Sequence, residues 1–261
     1  MSAPQRAVLE SATAALDREH TQLTAERRAF ERFRSRVARL ETAAPSTAAV
    51  ASHTVGSPIA VRPHSTPRVG GLESIVDAYR DTVMAIPHYD DVYAEPCREH
   101  MAGELGAELA AAIDGSSQVH PPIKQSVIAA TDHAIDARTQ LIDAIEDEHA
   151  ELETATQTLA TLRADLESLR AQPLAQLEFN ALRLTRERLT NLRIRCDEFA
   201  AARQETIWRR RQLTIADMGV FERYCYGECD RTHPVLAALA AYGDRLERTL
   251  ARVDGYLTTA R

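Results

Sequence analysis

Lysine is almost missing from this chain: of its 31 basic residues, only Lys124 is not arginine. Arginine keeps its charge at any relevant pH and offers carboxylates a planar fork, so the bias suits ion-pair networks; GC-rich codon usage produces the same bias without selection on the protein. Aromatics are also scarce, at 5% of 261 residues. Four cysteines, Cys97, Cys196, Cys225 and Cys229, are too few for a disulfide-built secreted scaffold. No apolar run approaches the ~20 residues that span a bilayer. Met1 to Arg6 leads into a polar helical pattern with no apolar signal core behind it. Glycine-rich phosphate loops, nucleophile elbows and dinucleotide fingerprints are absent. So are the period-2 alternation and β-branched enrichment of strands. These absences leave a cytoplasmic, all-α protein as the expectation, and they name no reaction.

What is present is helical spacing. Leu9, Leu16, Leu23, Phe30 and Val37 recur every heptad, and the companion position reads Ala12, Glu19, Glu26, Phe33, Leu40. The spacing predicts a helix over 5–42 whose seam is apolar at its ends and polar in the middle. Residues 43–71 carry Pro45, Pro58, Pro63 and Pro67 among Gly, Ser, Thr and Ala, and no acid, which reads as a flexible linker. Helical spacing resumes from Leu72 to Ile86 and stops at Pro87. A loop rich in Tyr and acid runs to Glu95, and Pro96 opens a helix burying Met101, Leu105, Leu109 and Ile113. Asp114-Gly115-Ser116-Ser117 reads as a turn.

The most regular segment runs from about Pro122 to Gln172. Ile145, Leu152, Leu159 and Leu166 hold one heptad position; Leu141, Glu148, Ala155, Leu162 and Leu169 hold the other, with Glu148 as its one acidic flaw. Pro173 breaks it. Residues 174–217 continue with Leu182, Leu189 and Cys196 at one position and Leu192 and Phe199 at the other. The short break favours an antiparallel hairpin over 122–217, a kinked rod being the alternative. A last helix follows Pro234, from Leu236 to Leu257.

Three stretches carry a family likeness: YRDTVMAIPHYDDVYAEPCREHMAGELGAELAAAI (Tyr79–Ile113), DREHTQLTAERRAFERF (Asp17–Phe33) and FERYCYGECDRTHPVLAALA (Phe221–Ala240). Together they resemble a family of uncharacterised haloarchaeal proteins, a domain of unknown function. The resemblance implies a helical, cytoplasmic haloarchaeal protein and supplies no activity. The net charge of −7 is a weaker acidic excess than a high-salt cytoplasm usually selects.

That charge is unevenly laid out. Residues 72–172 hold 6 basic and 20 acidic residues, −14 in all, whereas 173–217 hold 9 basic and 6 acidic. An acidic arm facing a basic arm supports intramolecular pairing of the two hairpin helices.

Several constellations are candidates for chemistry. Cys225-x3-Cys229-x3-His233 has thiolates and an imidazole that suit zinc, with Asp230 or Cys196 as a fourth ligand, but the second ligand pair of ordinary zinc sites is missing. Two half-buried thiols beside a surface histidine is the plainer reading. Glu146-x-x-His149 and Asp17-x-x-His20 have the acid-x-x-His form of di-iron bundles, yet each acid falls one residue beyond a seam position, on the solvent side. Cys97 sits in a first helical turn with His100 three residues on, but Glu95 and Glu99 oppose a thiolate, so a structural cysteine is expected. Trp208-Arg209-Arg210-Arg211, in a helix that also bears Arg183, Arg186, Arg188, Arg193, Arg195 and Arg203, is the best candidate nucleic-acid surface. An arm that neutralises its acidic neighbour explains the same residues. The Tyr89–Glu95 loop suits either a basic partner or a cap on the bundle.

The resulting expectation is an all-α, elongated helical bundle built on an antiparallel coiled-coil hairpin. It has an N-terminal amphipathic helix (1–42), a linker (43–71) and a helical domain (72–261). It acts as a non-enzymatic interaction or scaffold component, with no membrane span and with a protein partner or a second copy met through its helices. The helix over 5–42 packs either within the chain or against a second copy. The alternatives are nucleic-acid binding through 183–211 and zinc binding through Cys225, Cys229 and His233.

Overall fold

Heptad spacing without strand signals commits the backbone to helix, and the structure follows. The computed structural model describes residues 3–42, 72–114, 118–212 and 221–259. Of these, 85% are helical and none forms a strand, so the fold is all-α. The linker expected at 43–71 and the turn at Gly115–Ser117 lie outside the described residues.

Nine α-helices follow one another among the described residues: α1 (Ala3–Arg39), α2 (Glu73–Arg80), α3 (Tyr89–Val92), α4 (Cys97–Leu105), α5 (Ala107–Asp114), α6 (Pro121–Arg170), α7 (Phe179–Gln212), α8 (Phe221–Tyr226) and α9 (Pro234–Thr259). A 3-10 turn at Leu174–Gln176 separates α6 from α7. Pro121 and Pro234 each begin a helix, where the missing N–H costs nothing. Three expectations change. The loop expected up to Glu95 contains the short helix α3. The helix predicted to run to Ile86 ends at Arg80, although Val83 and Ile86 are still buried. The helix predicted from Pro96 to Ile113 breaks at Gly106, whose φ of 95° lies in the left-handed region that favours glycine.

The chain divides into two compact units, residues 1–21 with 140–261, and residues 22–139. Thus α1 and α6 each contribute to both. In the first unit, Leu9, Ala12 and Leu16 of α1 are buried, as are Ile145, Leu152, Leu159 and Leu166 of α6. Arg195 of α7 pairs with Asp165 of α6 at 3.1 Å, and Arg186 of α7 with Asp254 of α9 at 2.6 Å. The Tyr242 hydroxyl of α9 donates to the Leu162 carbonyl of α6 at 3.0 Å.

In the second unit, Phe30, Phe33 and Val37 of α1 share a core with Leu72, Ile75 and Tyr79, with Met101 and Leu105, and with Val127 and Ala134. The helix over 5–42 therefore packs within the chain. The only lysine has a specific post here. Lys124 Nζ donates to the carbonyls of Ala38 and Leu40, each at 2.7 Å, capping the C-terminus of α1 with a compact positive charge.

Candidate functional site

Two of the acids that interrupt the seams, Glu148 and Glu26, are buried and paired. Glu148 is 0% exposed. Its Oε1 accepts from Arg203 Nη2 at 2.6 Å and from the Tyr226 hydroxyl at 2.6 Å, while Oε2 accepts from Arg203 Nη1 at 3.0 Å and from Arg210 Nη1. Glu151 receives Arg203 and, at 3.3 Å, Arg210 Nη2. Two carboxylates thus meet two guanidiniums, and Arg210 also lies over the Phe221 ring, 5.1 Å from its centroid. Burial alone would raise the Glu148 pKa, but the bonds and charges of Arg203 and Arg210, with the Tyr226 hydroxyl, hold it below its ordinary value.

Glu26 plays the corresponding part in the second unit. Oε1 accepts from the Tyr93 hydroxyl at 3.0 Å and lies 3.1 Å from His88 Nε2; Oε2 accepts from Arg138 Nε at 3.1 Å. Arg138 also grips Glu104 with both terminal nitrogens, at 2.7 and 2.6 Å, and stacks 4.6 Å from the Phe30 centroid. Heptad spacing marks both acids as irregular without pointing to their partners. A signal for the partners is present all the same: Arg203 and Arg210 continue the heptad of Leu182, Leu189 and Cys196, and Arg138 stands one heptad before Ile145.

His100 is buried among three tyrosines, its ring centre 5.8 Å from Tyr79, 5.0 Å from Tyr89 and 4.7 Å from Tyr93. The Tyr79 hydroxyl and His100 Nδ1 share a hydrogen bond of 2.7 Å, and Nε2 is buried without a partner. Burial depresses the His100 pKa; Arg138 adds to this, while Glu104, Glu95 and Glu26 oppose it. The neighbouring Cys97 is buried with its pKa raised, first by burial, against the pull of Arg80. Cys97 thus has its thiol held towards the protonated form beside an imidazole engaged with Tyr79.

The two acid-x-x-His motifs meet each other. His20 Nε2 lies 3.1 Å from Glu146 Oε1, and His149 Nε2 lies 3.4 Å from Asp17 Oδ1. Each histidine of one motif takes the acid of the other, across α1 and α6, and all four side chains remain substantially exposed.

The expected zinc ligands are placed apart in role. Cys225 is buried, its thiol pKa raised by burial and then by Glu148 and Glu19. Cys229 is half-buried against Ser11, its Sγ 3.7 Å from the hydroxyl. His233 keeps a buried Nδ1 without a partner. Among the described residues no three His, Cys, Asp or Glu side chains gather where they could share a metal ion.

The Trp208–Arg211 run fans around α7. Arg210 points inward to Glu148 and Glu151, Arg209 stays outside and pairs with Glu205 at 3.6 Å, and Trp208 is 55% exposed. The Arg211 side chain lies outside the described residues. Arg186, Arg195 and Arg203 are likewise engaged with acids of the same chain.

The surface of α7 is unlike that of the other helices. Of the five large hydrophobic side chains exposed among the described residues, four lie on it: Phe179, Leu184, Ile194 and Trp208. Its buried residues, Leu182, Leu189, Cys196 and Ile207 among them, occupy the opposite side. The helix thus buries one apolar side and leaves these four side chains spaced along an otherwise largely charged, solvent-facing surface.

Residues 7–250 match the model of a family described as DUF7260, a domain of unknown function. No curated protein and no solved structure matches the chain. Among the described residues no helix is long and apolar enough to cross a membrane.

Proposed function

The chain belongs to the DUF7260 family, and since the family's description carries no activity, we propose from its residues that the protein is a non-enzymatic helical interaction or scaffold component. The observation that carries this reading is the uncovered side of α7, where Ile194 is 48% and Trp208 55% exposed. With Phe179 and Leu184, these give α7 four of the five large apolar side chains exposed among the described residues, a share that singles out this helix as the one with apolar surface left over.

The body presenting this surface is, in the same proposal, an antiparallel coiled-coil hairpin of α6 and α7. The cross-pairs support it. Asp165 with Arg195, Glu151 with Arg203 and Glu148 with Arg210 descend along α6 as they ascend along α7. The buried ionic nodes then serve to fix alignment, because a charged pair at a seam position fits one register and penalises the others.

Nucleic-acid binding through 183–211 draws less support, since Arg210 and Arg203 face inward and Arg186 and Arg195 hold acids of the chain. Zinc binding draws none from the placement of Cys225, Cys229 and His233. The test is affinity capture on the immobilised full chain and on its Ile194→Arg variant. Proteins retained by the native chain, whether copies of itself or others, are expected to be lost from the variant. Retention indifferent to that substitution overturns the reading.

A further inference from the structure

We infer that Arg163, Arg170 and Arg245 form a binding site for an oxyanion of the phosphate class, on the side of α6 that meets α9. The observation behind it is a buried charge left unpaired. Arg163 is 8% exposed, yet its Nε and Nη1 are buried without a hydrogen-bond partner, and among the described residues it makes no ion pair. Arg203, at 6%, shows how this chain otherwise treats a buried guanidinium: both of its terminal nitrogens bond to Glu148. A buried ion without a counter-charge is costly, and a bound anion removes that cost.

The surroundings of Arg163 add positive charge instead of balancing it. Glu167 and Arg170 stand four and seven residues on, along the same side of α6, and Arg245 of α9 meets that side. Glu167 Oε1 accepts from Arg170 Nη1 at 3.1 Å and from Arg245 Nη2, so the one carboxylate of the group is already shared by two guanidiniums. Burial lowers the Arg163 pKa and Arg245 lowers it further, with Glu167 opposing. The other acids of these two helix segments turn away. Asp165 lies about 160° round α6 from Arg163 and holds Arg195, while Asp244 and Glu247 lie about 100° and 160° round α9 from Arg245. Three guanidiniums and one carboxylate leave a net charge that a dianion neutralises and a single carboxylate does not. A tetrahedral oxyanion also has enough acceptor atoms to be shared among several N–H donors. Arg170 and Arg245, with side chains 35% and 24% exposed, form the entrance, and Arg163 forms the floor.

Isothermal titration calorimetry of the full chain with inorganic phosphate, sulfate and acetate, at neutral pH and low ionic strength, tests this. One phosphate per chain is expected, with sulfate comparable and acetate weaker by about tenfold or more. Arg163→Met should weaken phosphate by about tenfold or more, whereas Glu167→Gln, which removes the competing carboxylate, should tighten it about threefold. In phosphate-free buffer Arg163→Met should unfold at the same or a higher denaturant concentration than the native chain, because it removes an unpaired charge. Added phosphate should stabilise the native chain and leave that variant unchanged. Phenyl phosphate separates the two sources of the anion: binding as tight as inorganic phosphate assigns the phosphoryl group of a larger molecule, and exclusion assigns the free ion. A native chain that binds no phosphate overturns the proposal, as does binding indifferent to both Arg163→Met and Glu167→Gln. An Arg163→Met variant less stable than the native chain without phosphate also overturns it, since Arg163 would then have a partner within the fold.

Discussion

Glu148 and Arg203 form a buried two-pronged pair, Nη2 to Oε1 at 2.6 Å and Nη1 to Oε2 at 3.0 Å, at heptad positions that elsewhere are mostly apolar. Removing one partner of such a pair leaves an uncompensated charge in a low-dielectric interior. Glu148→Ala should therefore cost about 3–5 kcal/mol in denaturant unfolding. Replacing Glu148, Arg203 and Arg210 together by Leu and Met residues should cost much less than the single change, because no fully buried charge is orphaned and Glu151, which loses both arginines, is 38% exposed. The exposed pairs of His20 with Glu146 and His149 with Asp17 give the contrast: His20→Ala with His149→Ala should cost no more than about 1 kcal/mol per pair.

The same carboxylate sets an acid limit. The folded pKa of Glu148 is held below its ordinary 4.5, so its contribution is fully present above that pH and is lost as the pH falls through the lower folded value. Unfolding curves should show the native chain losing stability faster below pH 4.5 than a Glu148→Gln variant. Parallel slopes for the two proteins would remove Glu148 as the group responsible.

His100 acts in a higher window. Its folded pKa is lowered from 6.5, chiefly by burial, so the unfolded chain takes up its proton first. The contribution is present above pH 6.5 and lost as the pH falls through the folded value. Amide exchange in α4 should accelerate between pH 7.5 and about 5 in the native chain, and less so in His100→Gln. Tyr79→Phe, which removes the hydroxyl at Nδ1, should cost about 1–2 kcal/mol. Equal pH responses with and without His100 would contradict this assignment.

Thiol reactivity separates a structural from a catalytic role for the cysteines. Cys97, Cys196 and Cys225 are buried with raised pKa values, and Cys229 alone is partly exposed. A disulfide reagent on the folded chain should modify Cys229 first, with the other three reacting only on unfolding. Rapid labelling of Cys97, mapped by mass spectrometry, would point instead to an activated thiol.

The long helices were legible because period is a local property: Leu9 to Val37, Ile145 to Leu166 and Leu236 to Leu257 repeat often enough to declare a buried side. The breaks were harder to read. Apolar spacing passes straight through Gly106 from Leu105 to Leu109, so the pattern continued where the backbone does not. The six residues of α8 are too few to show a period. Glu26 and Glu148 were visible as flaws, but whether a seam acid is a defect or a paired node depends on which arginine faces it, which is tertiary information. Register also placed Asp17 and Glu146 correctly towards solvent, while their exchange of histidines needed the alignment of α1 against α6.

Trp208, the only tryptophan, lies on the uncovered side of α7 and reports directly on whether that side is the working surface. Its fluorescence should be that of a water-exposed indole in the dilute chain and should shift to the blue as the chain associates, whether with its own copy or with a captured partner. The Ile194→Arg variant should keep the red emission at every concentration. Association demonstrated by sedimentation or capture with Trp208 emission unchanged would contradict the account.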